Sequence, residues 1–342
     1  MSGGQRTVAY VANAESRDIA VLALDTATGE LAAVQRFETG GRVMPLAVSP
    51  DRRRLYASIR SEPFSVVSLS IDATDGRLEE IGRAPLPASM CWISTDRSGR
   101  FLLGAAYGSS LVAVSPIGSE GVVQAARQVV GTEPNAHAIQ VDPSNRCALA
   151  TCLGGDLIRQ FRFDATTGQL DDNDPPAWRG RAGAGPRHFV FHPRLPFVYL
   201  LNELDGSLDV LSFDASRGLL GSVQTVSALP GGSKVAKPWA ADLHLRPDGR
   251  FLYASERRTS TIACFAVDAT NGTVTSIGSV PTETEPRGFA VSPDGRFLLA
   301  VGQVSHRLSR YGIDAESGAL SKLGDQAVGR EPNWVEIVEL PD

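Results

Sequence analysis

The 342-residue chain reads as all-β, and more narrowly as a seven-bladed β-propeller with four antiparallel strands in each blade. Three observations point there. One hairpin turn recurs from end to end at a nearly even spacing. A second kind of turn interleaves with it. Between the turns lie short runs of β-branched and aromatic residues, and no long helical pattern interrupts them.

The first turn is an aspartate four residues ahead of a glycine, mostly Asp-Ala-x-x-Gly. Copies start at Asp25, Asp72, Asp164, Asp214, Asp268 and Asp314, and a degenerate copy that has lost its aspartate starts at Ile117. Successive starts are 45–54 residues apart. The aspartate can accept hydrogen bonds from its own turn, and the glycine tolerates a positive φ. The second turn is Ser-Pro-Asp-Arg at 49–52, Thr-Asp-Arg-Ser-Gly-Arg at 95–100, Asp-Pro-Ser-Asn-Arg at 142–146, His-Pro-Arg-Leu-Pro at 192–196, Arg-Pro-Asp-Gly-Arg at 246–250 and Ser-Pro-Asp-Gly-Arg at 292–296. Two hairpin turns per repeat make four strands, which is one blade. The seventh blade is shared between the ends. Residues 334–338 supply its innermost strand, and residues 8–11, 19–22 and 31–34 supply the other three. Sharing removes two free sheet edges. The expectation is one domain over residues 1–342. A two-domain β-sandwich does not account for one even spacing throughout.

Apolar residues make up 42% of the chain, enough for a sizeable core. The net charge of -5 argues against a general nucleic-acid or membrane-surface binder, which would be basic. Cys91, Cys147, Cys152 and Cys264 form no CxxC pair and read as reduced, mostly buried thiols of a cytoplasmic protein. Residues 1–6 show no apolar segment of a signal peptide. No apolar run approaches the roughly 20 residues that span a bilayer. The histidines lack zinc spacing, and there is no carboxylate cluster, phosphate loop, nucleophile elbow or dinucleotide fingerprint. No metal or other cofactor is expected. Sequence sets no oligomeric state, and a monomer is compatible with it.

The repeat places side chains at one rim. Counting six residues back from the proline of the second turn gives Met44, Ser89 (with Thr95 in the proline's place), His137, Arg187, Ala241 and Arg287. Just past the end of the second strand come Arg60, Tyr107, Leu153, Glu203, Arg257 and Gln303. Hairpin geometry puts both sets on one face, beside the central channel. Crowded arginines repel unless an anion lies among them, and their planar forks suit phosphate or carboxylate oxygens. His137 and Glu203 are candidates for general acid–base work. An ion-pair network lining a wet channel accounts equally for any one of these residues. A binding site accounts better for the set. Asn135, two residues before His137, should face the same way, and His306 lies on a loop of that face within reach of a ligand. Strand alternation turns His188 away from the channel. His192 belongs to a turn. Asp242 and His244 share one side of a strand. Lys234 and Lys237 sit in the insertion that lengthens one repeat, on a loop able to cover a ligand.

Gly185-Pro-Arg-His-Phe-Val-Phe-His-Pro193, Asn202-Glu203-Leu204, Trp239-Ala-Ala-Asp-Leu-His244, Pro286-Arg-Gly-Phe289 and Gly302-Gln303 closely resemble the seven-bladed-propeller 6-phosphogluconolactonases, and the likeness runs nearly end to end. The wider family includes fungal muconate-lactonizing enzymes, whose implicated His, two Arg and Glu match His137, Arg187, Arg257 and Glu203. The resemblance implies hydrolysis of 6-phosphoglucono-1,5-lactone, a step of the oxidative pentose phosphate pathway. It implies a small sugar-phosphate lactone as the partner and no cofactor. His137, Arg187, Glu203 and Arg257 would then be catalytic. Either Glu203 or His137 would take the proton from water; the reading leans to His137 as base with Glu203 orienting it, and sequence does not decide between them. Arg287, Arg60, Tyr107, Gln303, His306 and Asn135 would bind substrate. Two alternatives stay open: a lactonizing or lactonase reaction on a dicarboxylate such as a muconate, and a non-catalytic propeller that binds proteins.

Overall fold

In the computed structural model, which describes residues 6–231 and 235–341, the outer turns are closed by the aspartates that begin them. Asp25 Oδ1 accepts the Ala27 N–H at 2.7 Å, and Asp164 Oδ1 the Thr166 N–H at 2.7 Å. The degenerate copy closes through the backbone, with Gly118 N–H donating to Val122 O at 2.9 Å. The glycine ending each turn also seats it on the preceding blade. Gly272 has a φ of +69°, and a Cβ there would meet the Phe197 ring at 2.3 Å. Two residues beyond Phe197, the Tyr199 hydroxyl donates to Gly272 O at 2.9 Å. Tyr10, Tyr56 and Tyr253 make the same bond to Gly76, Gly121 and Gly318. Each of these ties joins one blade's second strand to the next blade's outer turn.

The described residues form seven four-stranded antiparallel sheets. Blade 1 runs Val43–Val48, Arg54–Ile59, Ser65–Ile71 and Leu78–Pro85. Blade 2 has Trp92–Thr95, Phe101–Ala106, Leu111–Pro116 and Gln128–Gly131, and blade 3 has Ala136–Val141, Cys147–Cys152, Leu157–Asp164 and Gln169–Arg179. Blade 4 holds Pro186–Phe191, Phe197–Asn202, Ser207–Asp214 and Leu219–Ser227. Blade 5 follows with Ala240–Leu245, Phe251–Glu256, Thr261–Val267 and Val274–Pro281, and blade 6 with Pro286–Val291, Phe297–Gly302, Arg307–Ile313 and Leu320–Ala327. Blade 7 takes its innermost strand, Pro332–Glu339, from the C-terminal end, and Thr7–Asn13, Asp18–Leu24 and Leu31–Glu38 from the N-terminal end. Thr7 pairs with Glu339 and Val11 with Val335, so the shared closure expected from the sequence is present. The first strands of neighbouring blades touch in order around the ring, and the last touches the first. The only helical turn among the described residues is Leu153–Gly155.

The core lies between blades. One cluster joins Phe101, Leu103 and Val112 of blade 2 to Ile139, Ala148 and Phe161 of blade 3. Phe161, Phe189, Phe265 and Phe289 are fully buried in such seams, each worth roughly 1.5–3 kcal/mol. All four cysteines are free and buried. No helix of the described residues is long and apolar enough to cross a membrane.

Candidate active site

The innermost strands begin with an irregularity that aims the site. In blade 4, Pro186 pairs with Asn202 and His188 with Leu201, which leaves Arg187 without an opposite residue. The extra residue is His137 in blade 3, Arg287 in blade 6 and Asn333 in blade 7. Such a bulge frees a residue from the ladder and re-aims its side chain. Hydroxyls on the second strands repair the gap: Thr151 Oγ1 accepts the Ala138 N–H at 3.0 Å, and Ser255 Oγ accepts the Asp242 N–H at 2.9 Å. Thr151 then donates to the carbonyl of Arg187 itself at 2.7 Å.

These residues meet the ends of the second strands around a cavity of about 290 Å³, lined by Arg60, Cys91, Tyr107, His137, Arg187, Glu203, Trp239, Arg257 and Arg287. Seven of the ten residues singled out from sequence are thus brought together. Gln303 lines an adjoining cavity of about 220 Å³ that shares Arg60, and its amide donates to Glu331 Oε1 at 3.0 Å. Asn135 and His306 line neither cavity. Both lie at positive φ, +63° and +59°, outside any strand, so alternation does not govern them. Asn135 Nδ2 donates to Tyr107 O at 3.3 Å, and His306 Nδ1 accepts the Glu331 N–H at 3.1 Å. Lys237 is exposed, and Lys234 lies outside the described residues.

Glu203 holds two arginines with one oxygen. Its Oε2 accepts from Arg187 Nε at 2.7 Å and from Arg257 Nη2 at 2.8 Å. Oε1 takes no hydrogen bond from the described residues. Arg187 is 1% exposed; its Nη1 donates to Ala241 O and contacts His188 Nε2 at 3.2 Å. Arg257 donates through Nε to Trp239 O at 3.1 Å and lies 3.8 Å above the Trp239 ring. Each arginine therefore keeps one terminal nitrogen, Nη2 of Arg187 and Nη1 of Arg257, with no partner among the described residues. Arg60 is held by Ser89 Oγ at 3.0 Å, and half-buried Arg287 has no hydrogen-bond or ion-pair partner among the described residues.

Four guanidiniums thus face one carboxylate. Burial works to raise the Glu203 carboxyl, but Arg187 and Arg257 overcome it and hold the group below its usual 4.5. Burial, and then the charge of Arg187, push the His137 imidazole well below 6.5, so it is neutral. Burial and Arg187 likewise depress Arg257 and Arg287. An anion entering the cavity would relieve every one of these contacts between like charges.

Two placements on the innermost strands also differ from the sequence reading, and one lining residue was missed. In blade 2 the rim position belongs to Cys91, not Ser89. Asp96 Oδ1 accepts from Arg100 N and Phe101 N, as Asp142 Oδ1 does from Arg146 N and Cys147 N, so Arg97 and not Thr95 stands where the proline falls. His188 does not turn away from the channel. The bulge at Arg187 breaks the alternation, and the His188 ring lies 4.7 Å from Trp92, 5.1 Å from His137 and 6.0 Å from Trp334, centroid to centroid. The sequence reading misses Trp239 as a site residue; its legible signs are its place at the head of the Trp239–His244 motif and an aromatic residue just ahead of an innermost strand. Two lesser readings hold. His192 Nδ1 accepts the N–H groups of Arg194 and Leu195 in its turn, and Asp242 and His244 share a face, Oδ2 to Nε2 at 3.2 Å.

The sequence matches the family described as "Lactonase, 7-bladed beta-propeller" over residues 6–337. It is 43% identical over 334 residues to the 6-phosphogluconolactonase of Pectobacterium carotovorum, covering 97% of this chain and 99% of that one. It is 41% identical over 286 residues to the 6-phosphogluconolactonase of Serratia proteamaculans, covering 84% and 85%. The fold superposes on the periplasmic gluconolactonase of Pseudomonas aeruginosa with a TM-score of 0.90 at 27% identity, covering 98% of this chain and all of that one. With blade count, shared closure and sequence match in agreement, the chain belongs to the seven-bladed β-propeller lactonase family.

Proposed function

We propose that the protein hydrolyses 6-phospho-D-glucono-1,5-lactone to 6-phospho-D-gluconate, a carboxylic-ester hydrolysis, inside the arginine-lined cavity. The observation that carries this is the division of the four guanidiniums. Arg187 and Arg257 are balanced by Glu203, whereas Arg60 and Arg287 have no carboxylate partner among the described residues. A substrate with a phosphate dianion at one end and an ester carbonyl at the other suits both pairs. Arg60 and Arg287 hold the phosphate. The free nitrogens of Arg187 and Arg257 donate to the carbonyl oxygen as it becomes an oxyanion, a contribution of about 2.7–4 kcal/mol per donor. Water adds to the carbonyl carbon and gives its proton to Glu203. The ring C–O bond then breaks, and the ring oxygen leaves as a hydroxyl carrying that proton. Burial and the neighbouring cations both oppose charging His137, whereas at Glu203 burial favours the proton against the pull of Arg187 and Arg257, and Oε1 takes no hydrogen bond from the described residues; this favours Glu203 as base and neutral His137 as an acceptor that orients the water. Of the two candidates the sequence leaves open, this takes Glu203 and not His137. Four free buried thiols fit a reducing compartment, and we place the reaction in the cytoplasm.

The test is lactone opening above the spontaneous rate. Arg187→Ala and Glu203→Gln should each bring the rate down to background, with circular dichroism and thermal unfolding showing a retained fold. Arg287→Ala should raise KM for the phosphorylated lactone about tenfold or more and leave that for unphosphorylated glucono-1,5-lactone nearly unchanged. If Arg187→Ala and Glu203→Gln both keep the wild-type rate, the site is misassigned.

A further inference from the structure

Beneath the cavity, along the channel, runs a line of polar side chains. His188 is 2% exposed and enclosed by the rings of Trp92, His137 and Trp334. Its Nδ1 lies 2.8 Å from Asp242 Oδ1, and its Nε2 lies 3.2 Å from Arg187 Nη1. Asp242 is itself fixed: Oδ1 accepts the Leu243 N–H at 2.9 Å, while Oδ2 accepts the Phe289 N–H at 3.2 Å and faces His244 Nε2 at 3.2 Å.

We infer that Asp242 and His188 are positioning residues for Arg187. Asp242 fixes His188 as the tautomer protonated on Nδ1, and the bare Nε2 accepts a hydrogen bond from the Arg187 guanidinium. The role in catalysis rests on the reading of the cavity as a lactone site; the tautomer and the bond do not. Donor chemistry requires this arrangement. A guanidinium has N–H groups and no acceptor. A His188 protonated on Nε2 would set donor against donor, and a doubly protonated ring would set cation against cation. Burial and Arg187 push the His188 pKa down to about 3 despite Asp242, so the neutral ring persists. The five N–H groups of Arg187 are then assigned. Nε binds Glu203, Nη1 binds Ala241 O and His188 Nε2, and Nη2 is left for the substrate. His188 thereby sets the plane in which Nη2 meets the carbonyl. Orientation of this kind matters, since a displacement of about 1 Å at a reacting group can cost about 100-fold in rate.

Nitrogen-15 NMR of the full-length protein tests the tautomer without substrate. The expected result is His188 protonated on Nδ1, bare on Nε2, and unchanged between about pH 5 and 8. A proton on Nε2 overturns the inference. Two variants then separate holding from mere filling. His188→Gln can return an acceptor to Arg187, whereas His188→Asn can reach only Asp242. In His188→Asn, kcat should fall about 100-fold with KM within about twofold, and the Arg187 Nε proton should exchange faster with water. His188→Gln should recover most of both losses. Equal losses in the two variants, or a change confined to KM, overturn the role. A wild-type protein that opens no lactone defeats the proposed function, while the NMR and proton-exchange results still decide the dyad.

Discussion

At Arg187 a guanidinium is almost wholly removed from water, and it survives there among other cations because each of its hydrogen-bond partners is an acceptor: a carboxylate, a carbonyl and a bare imidazole nitrogen. The same crowding of positive charge governs pH dependence. His137 is held well below 6.5 and Glu203 below 4.5, so both stay in their basic forms through the neutral range. A lowered pKa means that activity is lost only as the pH falls through the lowered value. With unphosphorylated glucono-1,5-lactone, kcat/KM should therefore be flat on its acid side from pH 7 to about pH 5. The phosphorylated substrate should add an inflection near pH 6 that belongs to its own phosphate. An inflection near 6.5 with both substrates would mean that His137 titrates normally and is not buried among cations. The Arg, Glu and His members of the site were legible because prolines and glycines number the repeat. Cys91 was not, because its turn has no proline, and neither was Trp239, because an aromatic residue beside a strand usually signals only packing.

The bulge is the element that makes the site, and it leaves little trace in the sequence. One extra residue in a six-residue strand changes neither composition nor turn spacing, yet it reverses which way His188 faces. Thr151 and Ser255, hydroxyls in mostly apolar second strands, are the trace that remains, because each repairs the ladder opposite a bulge. In blade 6 the bulge brings its strand against blade 7. A Cβ on Gly288, next to Arg287, would stand 2.6 Å from Asn333 O, a backbone atom with no flexible end to move. Gly288→Ala should cost about 1–3 kcal/mol by overpacking. It should be read as a lower denaturant midpoint at unchanged slope, together with a raised KM for the phosphorylated lactone as Arg287 shifts. A midpoint equal to wild type would show that the two strands part without cost.

The ring as a whole was the most legible level, since seven repeats with one spacing admit few architectures and the end strands supply what the last blade lacks. Its closure depends on pairing between chain ends rather than on covalent continuity. Thr7–Asn13 lies between Asp18–Leu24 and Pro332–Glu339, and Leu340 N–H donates to Arg6 O at 2.8 Å. Removing residues 332–342 would strip blade 7 of its innermost strand, expose the edge of a fully buried strand, and take Asn333 and Trp334 out of the channel. That protein should lose cooperative unfolding and aggregate. A circular permutant separates closure from chain order. Joining Arg6 to Leu340 through a short linker and opening the outer turn at 25–29 keeps all four strands of blade 7, and moves the unjoined pairing to its outermost strand, Leu31–Glu38. Because the site lies on innermost strands and that turn lies at the outer edge of its blade, the permutant should unfold in one transition and open the lactone at close to the wild-type rate. A folded but inactive permutant would mean that chain order, and not only the closed ring, sets the positions of Arg187, Glu203 and Arg257.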